Sequence, residues 1–291
     1  MESINKRSFK QKIDAYKRNP LSLMLFLLVM IATMLTIGIL LFIIGYIMIK
    51  GIPHLTPGLF AWKYNSVNVS LMPALINTVL MTLIALLISA PVGIFSAIYL
   101  VEYAKKGNRF VGMIRLTAET LSGIPSIVYG LFGLLFFVTA LGWGMSLLAG
   151  AFTLSIMILP LIMRTAEEAL KAVPDAYREG SFALGAGKLR TVFKIVLPSA
   201  TPGILAGIIL GVGRIVGETA ALIYTAGTVA EIPRGKDLLF DSTRTLSVHM
   251  YVLSSEGLYV NQAAATAVVL LVIVVIINGL SEFAAKKLSK V

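Results

Sequence analysis

The sequence predicts an all-α polytopic membrane protein with about six transmembrane helices, and three observations lead to this prediction. Of the 291 residues, 57% are hydrophobic and only 13% are charged, with a mean hydropathy of +0.89. Soluble domains usually have about a quarter of their residues charged, which excludes that class of protein. Several apolar runs reach the length of about 20 residues that a membrane-spanning helix needs. Most of the 25 lysines and arginines lie between or beside these runs.

The distribution of basic residues predicts how the chain is oriented. A net charge of +11 would suggest a nucleic-acid partner for a soluble protein. The basic residues instead cluster at residues 1–20, 105–115, 164–194 and after residue 282. Lys and Arg gather in this way at the cytoplasmic ends of membrane spans. We therefore expect both termini in the cytoplasm and no binding of nucleic acid.

Known catalytic and metal-binding patterns are missing from the sequence. The absence of cysteine removes disulfides, zinc–thiolate sites and cysteine catalysis. No G-x-S-x-G, H-E-x-x-H or phosphate-binding G-x-x-x-x-G-K-[ST] occurs. His54 and His249 stand far apart in predicted external segments, where we expect surface histidines and no metal site. The sequence therefore predicts transport rather than catalysis, and any ATP that is used must bind another chain.

The apolar runs divide the chain into predicted domains. We expect a cytoplasmic tail at 1–20, a first transmembrane helix at 21–50 and an external loop at 51–69. A permease domain at 71–284 follows, with a tail at 285–291. Its predicted spans are 71–103, 117–140, 147–162, 199–228 and 263–280.

Proline and glycine predict irregular points within this domain. Pro91 and Gly93 should interrupt the second span, with the kink facing the interior of the bundle. Pro160 should end the fourth span. Residues 231–261 form a second polar stretch, placed outside the membrane by parity. Within it, residues 245–253 are expected as a short amphipathic helix at the outer surface.

A long polar stretch at 166–198 separates two apolar runs. Pro174 suits the start of a helix, and Gly185 suits its end because glycine accepts the left-handed conformation there. A second short helix is expected over 188–196, ending at Pro198. The result is a helical hairpin loop lying on the membrane surface, and two interpretations remain open. It is either an amphipathic linker held to lipid headgroups by its basic residues or a docking surface for a soluble partner.

The spacing within this loop resembles a known motif. Glu179 is followed after five residues by Gly185, and after nine more by Ile195-x-Leu197-Pro198. This pattern resembles the EAA loop of ATP-binding-cassette importer permeases, except that Gly180 and Ser181 stand where that family often has alanines. The resemblance implies a type I importer permease whose loop inserts into a cleft of a separate ATPase subunit. ATP and Mg²⁺ would then bind that subunit, and this chain would hold no cofactor.

The expected docking set combines the motif with its neighbours, and helical spacing predicts that Tyr177, Ser181 and Leu184 share one face. The set is Pro174, Tyr177, Arg178, Glu179, Gly180, Ser181, Leu184, Gly185, Ile195, Leu197 and Pro198.

The fifth span carries small residues and two charges. Gly203, Gly207 and Gly211 recur every four residues, as does Gly217 after Gly213, which predicts close helix packing.

Arg214 and Glu218 lie four residues apart, so a continuous helix would place them on the same face as Gly207 and Gly211. Charges inside a membrane are costly and mark functional sites, although a self-neutralising structural pair is the alternative. The arginine fork suits an oxyanion, and a carboxylate can accept a hydrogen bond from the P–OH group of phosphate, which sulfate lacks. The pair therefore predicts selectivity for phosphate.

Three longer segments are similar to the membrane subunits of the bacterial phosphate-specific importer, in particular to the A-type subunit. These are SGIPSIVYGLFGL, RTAEEALKAVPDAYREGSFALGA and GRIVGETAALIYTAG. The resemblance associates Arg164, Arg214 and Glu218 with the passage of phosphate. It also implies a C-type permease partner, an ATPase pair and an extracytoplasmic phosphate-binding protein that docks at 231–261. A permease for molybdate or sulfate and an ATP-independent anion channel remain as alternatives.

Overall fold

The computed structural model describes residues 20–288, except residues 106, 235 and 236. Within that part of the chain it is almost entirely helical and has no β-strand. The helices, numbered in chain order, are α1 (Pro20–Gly51), α2 (Met72–Ile98), α3 (Arg109–Ser122), α4 (Ser126–Gly133), α5 (Leu147–Lys171), α6 (Asp175–Ala183), α7 (Lys188–Thr191), α8 (Leu197–Val216), α9 (Ala220–Thr225), α10 (Leu246–Ser255) and α11 (Val260–Leu288). Five helical stretches of the described chain can cross a membrane by length and composition, and a bent pair makes a sixth. The predicted all-α polytopic fold is confirmed.

The chain forms two compact units, residues 1–50 and 51–291. The described part of the first unit belongs to α1, which extends over the predicted first span. The predicted N-terminal tail lies outside the described residues. In the second unit, α11 continues to Leu288, past the predicted end of the last span.

Helix α5 is the centre of the second unit, since it packs against both α2 and α8. Leu154, Met157 and Ile158 of α5 are buried in one apolar cluster with Met81 of α2. A second cluster lies around Leu170, near the opposite end of α5. A helix that is apolar on most sides is stable only when neighbours cover it. Helix α5 therefore connects two ends of the unit, here called the loop end, beside residues 172–198, and the far end, beside residues 229–259.

The helices continue through two prolines that were predicted to interrupt or end them. Helix α5 continues through Pro160 to Lys171, and α2 continues through Pro91, which is exposed rather than turned inward. Gly93 instead approaches α5, where an added Cβ atom would lie 2.9 Å from Ile162. Contact with neighbouring helices compensates for the hydrogen bond that each proline removes, so the helix persists.

Glycines of α8 allow close contact with α5. The close approaches are Gly203 to Ala169, Gly207 to Thr165 and Gly211 to Ile162. A Cβ atom at Gly203 or Gly207 would collide with the facing side chain, whereas Gly211 has room at 3.7 Å. These three glycines therefore lie on the helix face that the four-residue spacing predicted.

Gly217 differs from the other glycines and marks the end of α8. It is exposed, and an added Cβ atom would meet only the Gly213 carbonyl of its own helix, at 3.6 Å. The predicted packing role of Gly217 is wrong, as is the prediction of one continuous helix over 199–228. The chain is irregular at residues 217–219 and becomes helical again in α9.

The predicted third span, residues 117–140, is also broken. Helices α3 and α4 meet at an angle of 101° across residues 123–125. Pro125 explains the break, because a residue before proline avoids the helical region. The Tyr129 hydroxyl donates to the Leu121 carbonyl at 2.7 Å, so a side chain crosses the break and satisfies a backbone group there.

The glycine contacts predict different outcomes for two similar substitutions in α8. Gly207→Ala should destabilise the fold by about 1–3 kcal/mol, because the new methyl group overpacks against Thr165. Gly213→Ala is the matched control, since nothing lies within 4 Å of its Cβ position. It should be neutral or stabilising, because alanine favours a helix. Thermal unfolding of the purified subunit in detergent measures both, and equal melting temperatures for the two variants would contradict the packing described.

Candidate functional site

The polar stretch at the loop end folds as a helical hairpin loop, residues 172–198. Pro174 immediately precedes α6, and Gly185 has a φ angle of +80°, in the left-handed region predicted for it. The second arm begins with α7. Between the arms, the Ser181 and Thr191 hydroxyls lie 2.8 Å apart in a hydrogen bond. Sequence therefore predicted the hairpin and its turn, and a buried polar contact joins the arms.

The second arm was predicted to end at Pro198, but it continues past this residue. Helix α7 passes through a π-helical turn at Val192–Val196 directly into α8, giving one helical stretch from Lys188 to Val216. A proline cannot donate to the carbonyl four residues earlier, and its ring crowds that carbonyl. The wider π turn just before Pro198 accommodates both effects. The loop is therefore joined to the fifth span without a flexible connection.

Arg178 lies inside the hairpin rather than on its surface, and its side chain is only 14% exposed. Its guanidinium donates to Glu102 Oε1 from Nη2 at 2.8 Å and from Nε at 3.1 Å. It also donates to the Val173 carbonyl at 2.8 Å, the Leu170 carbonyl at 2.9 Å and the Asp175 carboxylate at 3.1 Å. Arg178 therefore fixes α6 to the end of α5 and to the π-helical turn at Tyr99–Tyr103 that extends α2.

The outer surface of the hairpin is apolar and unusually open. Leu184 is 90% exposed, Tyr177 is 52% exposed, and Phe182 and Leu189 are also exposed. Ser181 is buried between the arms, so the predicted common face of Tyr177, Ser181 and Leu184 is wrong. The C-terminal turn of α6 explains the difference, since the chain leaves the helix before residue 184. A patch of this kind marks an interaction surface.

The remaining predicted docking residues divide between the surface and the arm contact. Glu179 and Gly180 are exposed, and nothing lies within 4 Å of a Cβ atom added at Gly180. Ile195 and Leu197 are half-buried, and Pro198 is exposed. Glu179, Gly180, Tyr177 and Leu184 are thus accessible to a partner.

The charged pair of the fifth span lies at the break after α8, and the two residues do not share a helix face. Arg214 is in the last turn of α8, whereas Glu218 follows the end of the helix. Glu218 is 8% exposed, and its Oε1 accepts a hydrogen bond from the Ala221 amide at 3.0 Å. No ion pair joins Arg214 to Glu218 in the described chain. The carboxylate therefore caps α9, and the guanidinium is not neutralised by it.

The two broken spans meet beside this pair. Helices α4 and α9 are in contact where an added Cβ atom at Gly130 would lie 2.8 Å from the Ala221 backbone. Discontinuous helices that meet inside a membrane are typical of substrate sites in transporters. The site therefore combines one half-buried arginine with one buried carboxylate.

Arg164 is separate from this pair. Its Nε lies 3.1 Å from Glu168 on the same helix, and both side chains are exposed. The contacts between α8 and α5 place Arg214 beside about residue 158 of α5. Arg164 therefore lies about six residues, or roughly 9 Å, nearer the loop end along the axis of α5. There it lines a cavity of about 580 Å³ together with Arg115 and Lys171, two cations that sequence reasoning did not assign. Both of those cations bind Glu167.

The far end contains a buried polar cluster that was not predicted from the sequence. Arg244 is 3% exposed, and its guanidinium lies 4.6 Å from the centre of the Tyr64 ring. The same ring meets His249 edge-on at 6.1 Å. Asn77 donates from Nδ2 to the Glu231 carbonyl at 2.9 Å and to the Arg244 carbonyl at 3.4 Å. Nothing local in the segment DSTRTLS marks its arginine as buried.

The position of this cluster corrects two expectations about the far end. His249 is fully buried rather than on the surface. The helix expected over 245–253 forms as α10, but its first four residues are buried rather than lying along the outer surface. The reason is contact with α2 and α11, which no spacing in the polar segment itself could indicate.

Residues 89–290 match the family described as "Binding-protein-dependent transport system inner membrane component".

Two curated relatives and one solved structure are similar to the chain. The probable ABC transporter permease protein YqgI of Bacillus subtilis (strain 168) is 34% identical over 233 residues, which are 76% of this chain and 79% of that protein. The phosphate transport system permease protein PstA 1 of Mycobacterium tuberculosis (strain CDC 1551 / Oshkosh) is 40% identical over 154 residues. That match covers 53% of this chain and 50% of the relative, so the chain spans about half of that relative's length.

The solved structure shares the fold at low sequence identity. A chain of the bacterial alginate ABC transporter, in complex with an alginate pentasaccharide-bound periplasmic protein, superposes with a TM-score of 0.63. It is 17% identical, and the match covers 94% of this chain and 98% of that chain.

The buried histidine predicts how stability changes with pH. Burial, and secondarily the charge of Arg244, lower the pKa of His249 from 6.5 to about 3, although the Val69 backbone raises it slightly. Between those values the unfolded state binds a proton that the folded state does not. Stability is therefore complete above pH 6.5 and falls as the pH decreases toward 3, by up to about 1.4 kcal/mol per pH unit.

Melting temperatures of the purified protein from pH 7 to pH 4 test this dependence. His249→Gln should give a smaller decrease across that range than the wild type. Identical slopes would show that His249 is not held neutral by its surroundings.

Proposed function

Since the chain belongs to the family of binding-protein-dependent transport system inner membrane components, we propose that it is the A-type, PstA-like permease subunit of an ATP-driven phosphate importer. It is a multi-pass membrane permease, and its relatives are transport subunits rather than enzymes. The name of the phosphate permease relative supports the substrate, and the hairpin loop supports coupling to an ATPase. In this proposal the chain lies in the inner membrane with both termini cytoplasmic, so the loop end faces the cytoplasm.

The observation that carries the coupling is the uninterrupted helical stretch from Lys188 to Val216. An ATPase that moves the hairpin loop would move the last turn of α8, and Arg214 with it, as one body. Arg178 extends the same connection to α2 through Glu102. Closure of the ATPase pair would then tilt several spans together, which is a rigid-body form of alternating access.

The partners follow from the same proposal. A C-type permease would complete the pathway, two ATPase chains would bind ATP and Mg²⁺, and an extracytoplasmic protein would deliver phosphate at the far end. This chain itself would bind no cofactor. The exposed patch around Leu184 suits the ATPase, because a large apolar side chain in water is stabilised when a partner covers it.

The break after α8 supports phosphate as the substrate. Arg214 can donate a fork of hydrogen bonds to an oxyanion. Glu218 uses Oε1 to cap α9, which leaves Oε2 for a second acceptor role. Oε2 can therefore accept a hydrogen bond from the P–OH group of phosphate and would repel an anion without a proton. In transit, Arg164 would provide the next positive charge toward the cytoplasm.

The docking role of the loop predicts the effect of a charge at its tip. Leu184→Glu should reduce co-purification of the ATPase at least tenfold, since it replaces an apolar contact with a desolvated charge. The fold should persist because this side chain is 90% exposed. Leu258→Glu is the matched control, 80% exposed at the far end, and should have no effect. Full recovery of ATPase with the Leu184 variant would remove the docking role.

The carboxylate predicts a change in anion preference. Glu218→Gln retains an oxygen for the Ala221 amide, so the local fold should survive. The preference for phosphate over sulfate should decrease about tenfold or more, because a hydrogen bond to a charged group is lost. Competition between the anions during uptake by reconstituted vesicles measures this, with Glu256→Gln as an exposed control.

The same vesicles separate the proposed function from its alternatives. An unchanged preference in the Glu218 variant would contradict the role of the carboxylate. Wild-type uptake of molybdate or sulfate in place of phosphate would assign a different oxyanion, and flux without ATP would indicate a channel.

A further inference from the structure

We propose that Arg244 is a second oxyanion-binding residue, at the outer end of the phosphate pathway, where Tyr64 covers it. The proposal rests on the function proposed above and extends it to a site that neither the loop motif nor the charged break includes. It depends on five features of the far end: the unpaired donors of Arg244, its neutral surroundings, the aromatic cover, two unpaired acceptors and an adjoining cavity.

The donors of Arg244 are unpaired although the residue is buried. Nε and Nη2 have no hydrogen-bond partner in the described chain, and the guanidinium forms no ion pair with a described carboxylate. A buried charge without a partner is costly, so such groups are normally paired. Nε and Nη2 are the two parallel donors along one edge of the guanidinium. This edge is the one that binds a carboxylate or phosphate with two hydrogen bonds.

No neighbouring side chain neutralises this charge. The low pKa of His249 keeps its ring uncharged at neutral pH. Tyr64 contributes a cation–π contact, which covers the face of the guanidinium but leaves its N–H edge unpaired. The backbone of Arg244 is fixed on both sides, since its amide donates to the Val229 carbonyl at 3.0 Å and its carbonyl accepts from Asn77. The side chain is therefore held in place by the fold.

Two orphaned acceptors in the same cluster fit an anion that carries a proton. Asn77 Oδ1 and the Thr243 hydroxyl are buried without partners in the described chain. The Asn77 amide group also binds the Arg244 backbone, so its oxygen belongs to the same corner of the fold. A phosphate with a remaining P–OH group can both accept from the guanidinium and donate to such an oxygen. Sulfate at neutral pH can only accept.

An outer cavity adjoins the cluster, and the Tyr64 ring is common to both, since it lines the cavity and covers the Arg244 guanidinium. It has a volume of about 360 Å³, and Tyr64 lies in its wall with Trp62 and Pro73. The charges that line it are Lys63, Arg234, Glu231 and Asp241. These two cations and two carboxylates balance, so the cavity itself does not select for anions. Movement of the Tyr64 ring would connect the cavity to Arg244, whose positive charge then attracts the anion.

The binding test uses the complete importer in detergent without the binding protein, so that only the membrane part can respond to phosphate. Tyr64→Ala should uncover Arg244, and inorganic phosphate at about 100 times its dissociation constant for Arg244 should then raise the melting temperature, relative to chloride, by about 3 °C more than it does in the wild type. This additional shift should be absent in Tyr64→Ala/Arg244→Gln, where only the site at the break after α8 remains. Equal shifts in the wild type and Tyr64→Ala, or in Tyr64→Ala and the double variant, would overturn the proposal.

The transport test uses vesicles with saturating binding protein. Arg244→Gln should slow phosphate uptake about tenfold or more, since a charged hydrogen-bond donor is lost, and Arg244→Lys should be intermediate. Wild-type rates with Arg244→Gln would overturn the proposal. A second result would also overturn it: Arg244→Gln captures less binding protein, while the phosphate-dependent melting shift does not change. Arg244 would then bind a carboxylate of the partner protein rather than phosphate.

The proposed function and this inference fail in different ways. A wild-type importer that carries sulfate instead of phosphate would disprove the substrate. The melting test, repeated with sulfate, would still decide whether Arg244 binds the transported anion.

Discussion

The ion pair between Arg178 and Glu102 is the contact on which the loop end depends. One guanidinium joins the hairpin loop, the end of α5 and the extension of α2, and it does so through two carboxylates and two backbone carbonyls. Arginine is suited to this role because its donors form a rigid planar fork that is always charged. Breaking such a partly buried pair would leave Glu102 without its partner. The loop is therefore part of the helical bundle and cannot move independently of it.

The contact between α5 and α8 carries the same rigidity through the membrane. Small residues let the two backbones approach closely, and the wide turn before Pro198 keeps the helix continuous where a proline would otherwise end it. In a membrane, where lipid is as apolar as the side chains, such close packing is a main source of helix association. The proposed transport mechanism needs this stiffness, because an ATPase at the loop end must act on a substrate near residue 214.

The backbone of the bundle is not helical at the breaks in the third and fifth spans. Every freed backbone group in such a break needs a partner. Tyr129 satisfies the Leu121 carbonyl at one break, and Glu218 satisfies the Ala221 amide at the other. At the second break the proposed function gives Glu218 two roles, since one carboxylate oxygen caps a helix and the other would face the substrate. Pro125 and Gly217 lie at the two breaks, but neither break was predicted from the sequence, because the consequences of proline and glycine differ with the neighbours present.

Local features of the sequence determined the class of fold, the number of spans, the hairpin loop and its turn, because apolar length, proline and a glycine with positive φ act over a few residues. They also indicated the glycine face of α8. Only the tertiary structure decided that helices pass through Pro91, Pro160 and Pro198, since packing from other segments outweighs one missing hydrogen bond. It also decided which charges are paired. Glu102 and Arg178 are 76 positions apart, and Asn77 and Arg244 are 167 apart, so the environment of each charge is a property of the folded bundle.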